Sequence, residues 1–380
     1  MTVTPLSYCT NVHPAEDLDG VLAQLDRYAE PVRRLVGTDV LGLGLWLPAA
    51  LAAGLADDPA LRAKLRTELD ARGLEVHTLN AFPYGGFHDE VVKHSVYRPQ
   101  WTDQRRLEYT LDCATVLADL LPDGARYGSI STLPLAWRTP WDDADDAAAM
   151  RALTELTAVL DGMASRDGRP IRLAVEPEPG CVLDSVADAV RWLAPRVDPR
   201  YVGLCLDTCH LAVSFADPAE TVAEIHRAGL SVVKVQASAA LQVEEPASEA
   251  AQQALADFTE PRYLHQVRER TEDGVVLGAD DLPQARTELP ALRTWRVHFH
   301  VPLHARPAAP LSATTDVLRA AVAALASTVD ELPHVEVETY TWSVLPETAG
   351  NGGDTALIRG IAAELRWAAA QLLGQDGGVR

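Results

Sequence analysis

An acid and an imidazole stand three residues apart in Asp207-Thr-Cys-His210, directly after the apolar run Tyr201-Val-Gly-Leu-Cys-Leu. That run has strand composition. A carboxylate at the carboxyl end of a strand, with an imidazole in the turn beyond it, points an oxygen and a nitrogen ligand into one cavity. A divalent cation suits such a pair. Asp-x-x-His also describes a helix-capping aspartate beside a buried histidine, so the pattern needs company. Ile171-Arg-Leu-Ala-Val-Glu176 and Val335-Glu-Val-Glu338 provide it, each a short β-rich run that ends in an acid. Three converging carboxylates repel one another and raise each other's pKa values unless a cation sits among them. The fourth ligand is expected from Gln236, at the end of Ser231-Val-Val-Lys-Val-Gln236, or from His300. The expected metal set is therefore Glu176, Asp207, Gln236, His300 and Glu338, holding Mn, Mg, Co or Zn, with room for a second ion if further histidines engage. A cation so held can chelate vicinal oxygens of a polyol or ketose and stabilise an enediolate. Glu176 and Glu338 are the expected catalytic pair, moving a proton off one face and onto the other. The bland alternative makes these acids partners of arginine or helix caps. His298, His304, His265 and Glu178 individually read as rim residues rather than ligands.

Those strand ends need a scaffold that gathers them. Strands are expected at Leu6–Thr10, Asp39–Leu47, Leu74–Asn80, Tyr127–Ser131, Ile171–Glu176, Tyr201–Asp207, Ser231–Gln236 and Val335–Glu338. Helical patterns separate them at about 15–36, 59–72, 103–121, 142–166, 184–193 (capped by Asp184), from 217, 312–327 and 354–373. Eight strand–helix alternations with acids at strand ends point to a (β/α)8 barrel in one domain, 1–380, with a flexible tail at 374–380. After the seventh strand the period breaks, and 240–294 reads as an insertion: a helix around Leu255–Phe258 and a hairpin turning at Glu272-Asp-Gly274. Trp295-Arg-Val-His298-Phe-His300-Val-Pro302 then returns as a strand with both histidines on one face. A doubly wound sheet is disfavoured because Gly42-Leu-Gly44 lies inside an apolar strand and opens no helix. The segment Asn80-Ala-Phe82-Pro-Tyr84-Gly-Gly-Phe-His88 is a rigid loop, either a wall of the substrate pocket or an aromatic plug.

With 54 acidic against 33 basic residues, the formal net charge of −21 argues against a nucleic-acid backbone or an anionic membrane as partner. No run approaches a membrane span and no secretory start is evident, so a cytoplasmic location is expected. Cys9, Cys113, Cys181, Cys205 and Cys209, odd in number and irregularly spaced, read as reduced thiols.

Val202-Gly-Leu-Cys-Leu-Asp-Thr-Cys-His210 resembles the sixth-strand motif of the xylose-isomerase-like barrels, which include endonuclease IV and the ketose 3-epimerases, and Leu173-Ala-Val-Glu-Pro177 resembles their fifth-strand motif. The likeness implies that Glu176, Asp207 and Glu338 are metal ligands and that His210 binds metal or substrate. The whole chain, including Asn80–His88, Val233-Lys-Val-Gln-Ala-Ser238 and Val297-His-Phe-His-Val-Pro302, is similar to the EboE-type metabolite traffic proteins, whose genes lie in bacterial clusters that make or export a small metabolite. His210, Asn80, Phe82, Tyr84 and Lys234 are then the expected substrate contacts. Where the ketose epimerases and endonuclease IV place His or Asp on the seventh strand, this chain has Gln236. The function expected is a metal-dependent isomerase or epimerase of a sugar- or cyclitol-type small molecule. Its rivals are a non-catalytic barrel that hands a metabolite to pathway protein partners and, disfavoured by charge, an endonuclease IV-like phosphodiesterase.

Overall fold

Short runs of apolar and small residues form seven strands in the first two-thirds of the chain: β1 (Leu6–Cys9), β2 (Leu41–Trp46), β3 (Leu74–Asn80), β4 (Gly128–Thr132), β5 (Ile171–Val175), β6 (Val202–Asp207) and β7 (Val232–Ala237). Most of their residues are buried on both faces, as parallel strands covered by helices must be; all six of β2 are. Five more strands follow, β8 (Leu241–Val243), β9 (Val267–Arg270), β10 (Val276–Ala279), β11 (Trp295–Val297) and β12 (Leu311–Ala313), before β13 (His334–Val337). In this computed structural model, which describes residues 6–345 and 353–374, β1–β7 and β13 close a parallel barrel in the order β1-β13-β7-β6-β5-β4-β3-β2. No helix among the described residues is long and apolar enough to cross a membrane.

The remaining strands make a separate antiparallel sheet in the order β10-β9-β11-β8-β12. Its core (Leu241, Val243, Leu282, Trp295, Val297, Phe299) is distinct from that of the barrel and is covered by helices Glu249–Ala256 and Leu282–Glu288. Glu269 ties it together: its carboxylate accepts the backbone N–H of Ala291, Leu292 and Arg293 and the indole of Trp295 at 2.8–3.0 Å. Gly274, at φ +88°, supplies the left-handed turn residue between β9 and β10.

Several expectations change. The sheet draws strands from Leu241 to Ala313, so the added structure runs past residue 294. The strand expected over 295–302 stops at Val297, because the Phe299 N–H turns back to the Val297 carbonyl and the Phe299 ring is buried beside Phe258. The helix expected at 15–36 begins at Leu18 behind the Asp17 cap and passes through a π turn, Leu25–Ala29, before Glu30–Val36, where Pro31 has no N–H to donate. Helix 186–193 is capped by Ser185 in a reciprocal pair with Asp188, not by Asp184, whose carboxylate receives Gly180 and Arg268. Of the expected tail, residues 375–380 lie outside the described residues.

Candidate metal centre

The carboxyl ends of β5, β6, β7 and β13 meet at one mouth of the barrel. Glu176 follows β5, its N–H held by the Thr132 carbonyl at 3.0 Å, and Glu338 follows β13, its N–H on the Ala237 carbonyl at 3.1 Å. Asp207 ends β6 and caps the next helix: Oδ1 accepts the His210 N–H at 2.8 Å and the Ser238 hydroxyl at 2.9 Å. Its Oδ2 has no partner. Oε1 of Glu338 accepts the side-chain amides of Asn11 (2.8 Å) and Asn80 (3.0 Å). One oxygen from each of Glu176, Asp207 and Glu338 lies within 4.8 Å of the others, with the residues only 4, 2 and 5 % exposed. Burial, reinforced by Glu338 and Asp207, holds the Glu176 carboxyl well above its ordinary range. Burial likewise pushes Glu338 up to about 8, with Asp207 and Glu336 adding to it.

A buried polar atom without a partner costs about 1–3 kcal/mol. Here Glu176 Oε2, Asp207 Oδ2, both amide atoms of Gln236 and His300 Nε2 are all such atoms. Gln236 pairs in register with Asp207 on one side and Glu336 on the other. Their gathering fits a divalent cation held by carboxylate, amide and imidazole donors.

Three imidazoles flank this cluster. His210 Nδ1 lies 2.9 Å from the Pro177 carbonyl, His300 Nδ1 2.8 Å from the Glu338 carbonyl, and His298 Nδ1 2.7 Å from Gln266 Oε1. The Gln266 amide is oriented by its nitrogen, which donates to Tyr97, Glu178 and the Pro179 carbonyl. Each Nδ1 is therefore placed to donate, an assignment that follows from these partners, which turns each Nε2 toward the site. His210 Nε2 and His298 Nε2 face each other at 3.1 Å, and His300 Nε2 stands 3.9 Å from Asp207 Oδ2. Burial lowers His300 to about 4 and holds His298 well below the ordinary imidazole value, which keeps both neutral and ligand-ready. Glu178–His210–His298 and Asp207–His210–His300 each bring three ligand atoms within 4.8 Å. Imidazoles clamped through Nδ1–H onto a carbonyl are arranged as metal-binding histidines usually are.

A cleft enclosing about 550 Å³, part of it open to solvent, lies above; Asn11, Asn80, Phe82, His210, His300 and Glu338 are among its lining. Two expected substrate contacts are elsewhere. Tyr84 packs edge-on against Tyr109, with the Arg106 guanidinium over its ring. Lys234 is fully buried inside the barrel, 2.5 Å from Glu336 Oε2 and 3.2 Å from the Ser131 hydroxyl. Asn80 lines the cleft, but its amide is committed to Glu338 and Cys9. His298 and Glu178, expected at the rim, are buried in the wall beside His210. Asn11 and Glu336 were missed. Strand period could have found Glu336, because it shares a face with Glu338 as Lys234 does with Gln236.

A closed (β/α)8 barrel with buried carboxylates and imidazoles at the carboxyl ends of its strands is a TIM barrel whose site occupies the fold's functional face. Residues 36–260, more than half of the chain, match the family of xylose isomerase-like TIM barrels, and the chain belongs to that family. No curated protein matches it. Among solved structures it is similar to D-psicose 3-epimerase in the presence of D-fructose (14 % identity, TM-score 0.51, 97 % of this chain and 99 % of that one). It is also similar to D-psicose 3-epimerase with D-tagatose from Clostridium cellulolyticum H10 and to the IOLI protein with a zinc atom, both at 13 % identity, TM-score 0.51 and the same coverage. At such identities the likeness is one of fold.

Proposed function

We propose that the protein is a divalent-metal-dependent isomerase or epimerase acting on a sugar- or cyclitol-type small molecule, in metabolite biosynthesis or traffic of the EboE type. The observation that carries this is the collection of buried, partnerless ligand atoms on Glu176, Asp207, Gln236 and His300. Glu176, Asp207, Gln236 and Glu338 would hold one cation (Mn, Mg, Co or Zn), His300 would bind at its edge, and the facing Nε2 atoms of His210 and His298 offer a second position. When bound, the cation supplies Lewis-acid polarisation of neighbouring substrate oxygens. The proton work falls to the chain. Isomerisation beside a carbonyl requires a group that takes a proton from carbon near neutral pH and a group that returns one. Glu176 and Glu338, both held above the ordinary carboxyl range, suit those roles. Asn11 and Asn80 fix one oxygen of Glu338 and so orient the other.

Metal analysis of the purified protein and of Glu176→Gln and Asp207→Asn tests the site: each variant should stay folded and lose bound divalent metal. Unchanged occupancy in folded variants would remove the centre. Deuterium uptake from D2O into a bound ketose tests the reaction, since a carrier would bind without exchange.

A further inference from the structure

The cleft above the centre has two kinds of surface. Its floor is polar and acidic, with Glu176, Glu178 and Glu338 beside the histidines. Its walls are hydrocarbon: Phe82, Phe87, Val92, Tyr263, Leu264 and Tyr340. Phe87 and Tyr263 come from separate loops and Tyr340 opens a short 3-10 helix; the three pack ring against ring, with centroids 4.9–5.5 Å apart. The Tyr263 hydroxyl donates to the Phe87 carbonyl at 3.2 Å, so it is turned to the protein and not offered to a ligand. Among the described residues that line the cleft there is no arginine, and Lys93 is the one lysine. Its ammonium is 2.5 Å from Asp281 Oδ2, and Asp281 is itself fixed by the N–H groups of His265 and Leu282.

These surfaces restrict what fits. A phosphate monoester brings about −1.5 to −2 of charge. It would enter a cleft that offers no arginine among its described lining and whose one described lysine is already paired with Asp281. A free ketohexose has an oxygen on every carbon, and those turned to the wall would lose water and gain no partner, which is costly. Resting on the isomerase reading of the floor, we infer that the substrate is an uncharged hydroxy-ketone or polyol head group bearing an apolar substituent, which lies against the Phe87–Tyr263–Tyr340 wall.

Calorimetric titration of the manganese-loaded protein with D-fructose, D-fructose 6-phosphate and 6-O-benzyl-D-fructose tests this. The benzyl ether should bind at least about tenfold tighter than D-fructose, the expected return for covering one aromatic ring. The phosphate should bind no tighter than D-fructose. Phe87→Ala should erase most of the benzyl advantage while metal content and D-fructose affinity stay unchanged. Val92→Thr, which puts a hydroxyl on the wall without opening a hole, should reduce the same advantage if Phe87→Ala fails to fold. A phosphate that binds tightest, a benzyl ether no tighter than D-fructose, or no binding by any of the three overturns the inference. Deuterium exchange into the bound sugar separates the two readings. A benzyl preference without exchange overturns only the reaction, and exchange without the preference overturns only the assignment of the wall.

Discussion

Replacing Lys234 by Met should destabilise the barrel severely and leave ligand recognition intact. The Lys234 ammonium and Glu336 carboxylate are both fully buried, 2.5 Å apart, and the ammonium also donates to the Ser131 hydroxyl at 3.2 Å. Burial pulls the lysine pKa down, and Glu336 more than restores it, so the ammonium stays charged. Methionine matches the lysine stem in volume, so the lost quantity is electrostatic: a carboxylate left in the barrel interior without a counter-charge, about 3–5 kcal/mol. Lys234→Met/Glu336→Leu removes both charges and should recover most of that loss, falling within about 2 kcal/mol of the parent, with a coupling of about 3 kcal/mol. Urea unfolding monitored by tryptophan fluorescence gives the four corners of the cycle. Two results would refute the reasoning: single variants whose losses add to that of the double, or a Lys234→Met protein of normal stability that has lost ligand affinity, which would return the lysine to the substrate.

Three further outcomes follow from the same geometry. Glu338 is raised from 4.5 to about 8 and Glu176 in the same direction, so the metal-free folded chain binds more protons than the unfolded chain between those values. Their contribution is greatest below about 4.5 and falls by on the order of 4 kcal/mol as pH rises through about 8. Melting temperatures in EDTA should show that fall and divalent metal should flatten it; a level metal-free profile contradicts the assignment. Asn11→Leu takes a 2.8 Å donor from Glu338 and should weaken metal binding about 10–100-fold in a chelator competition, whereas unaltered affinity would show that the amide does not orient the carboxylate. A Cβ on Gly44 would lie 1.2 Å from Glu336 Oε1, so Gly44→Ala must push that carboxylate off Lys234 and cost roughly as much as breaking the pair, about 3 kcal/mol or more. An unchanged unfolding midpoint for Gly44→Ala would mean that the barrel interior has room to spare.

The barrel was legible because its signals are local. Each strand is a short apolar run ending at a turn or an acid, and β5, β6 and β13 place Glu176, Asp207 and Glu338 where their spacing suggested. What escaped notice depended on distant pairing. Strands of three residues, such as Leu241–Val243 and Leu311–Ala313, are too short for a period to emerge, and they meet across about seventy residues of chain. His298 and Glu178 looked like rim residues because nothing nearby in sequence revealed that the second sheet would fold His298 against His210 and over Glu178. Lys234 and Tyr84 lie off the cleft for another reason. A charged or aromatic residue near a site reads as a contact until its true partner, Glu336 or Tyr109, is known.

Phe299 is rooted in the smaller core, while His298 and His300 on either side of it reach the barrel mouth. Two of the imidazoles thus ride on a platform with a hydrophobic core of its own, tied to the eight-stranded scaffold by hydrogen bonds such as Arg296 to the Ala212 carbonyl and His300 to the Glu338 carbonyl. Substitutions in that second core can shift ligand placement through those ties without opening a hole in the barrel's own core. Selection can therefore retune chemistry and preserve foldedness through different sets of residues.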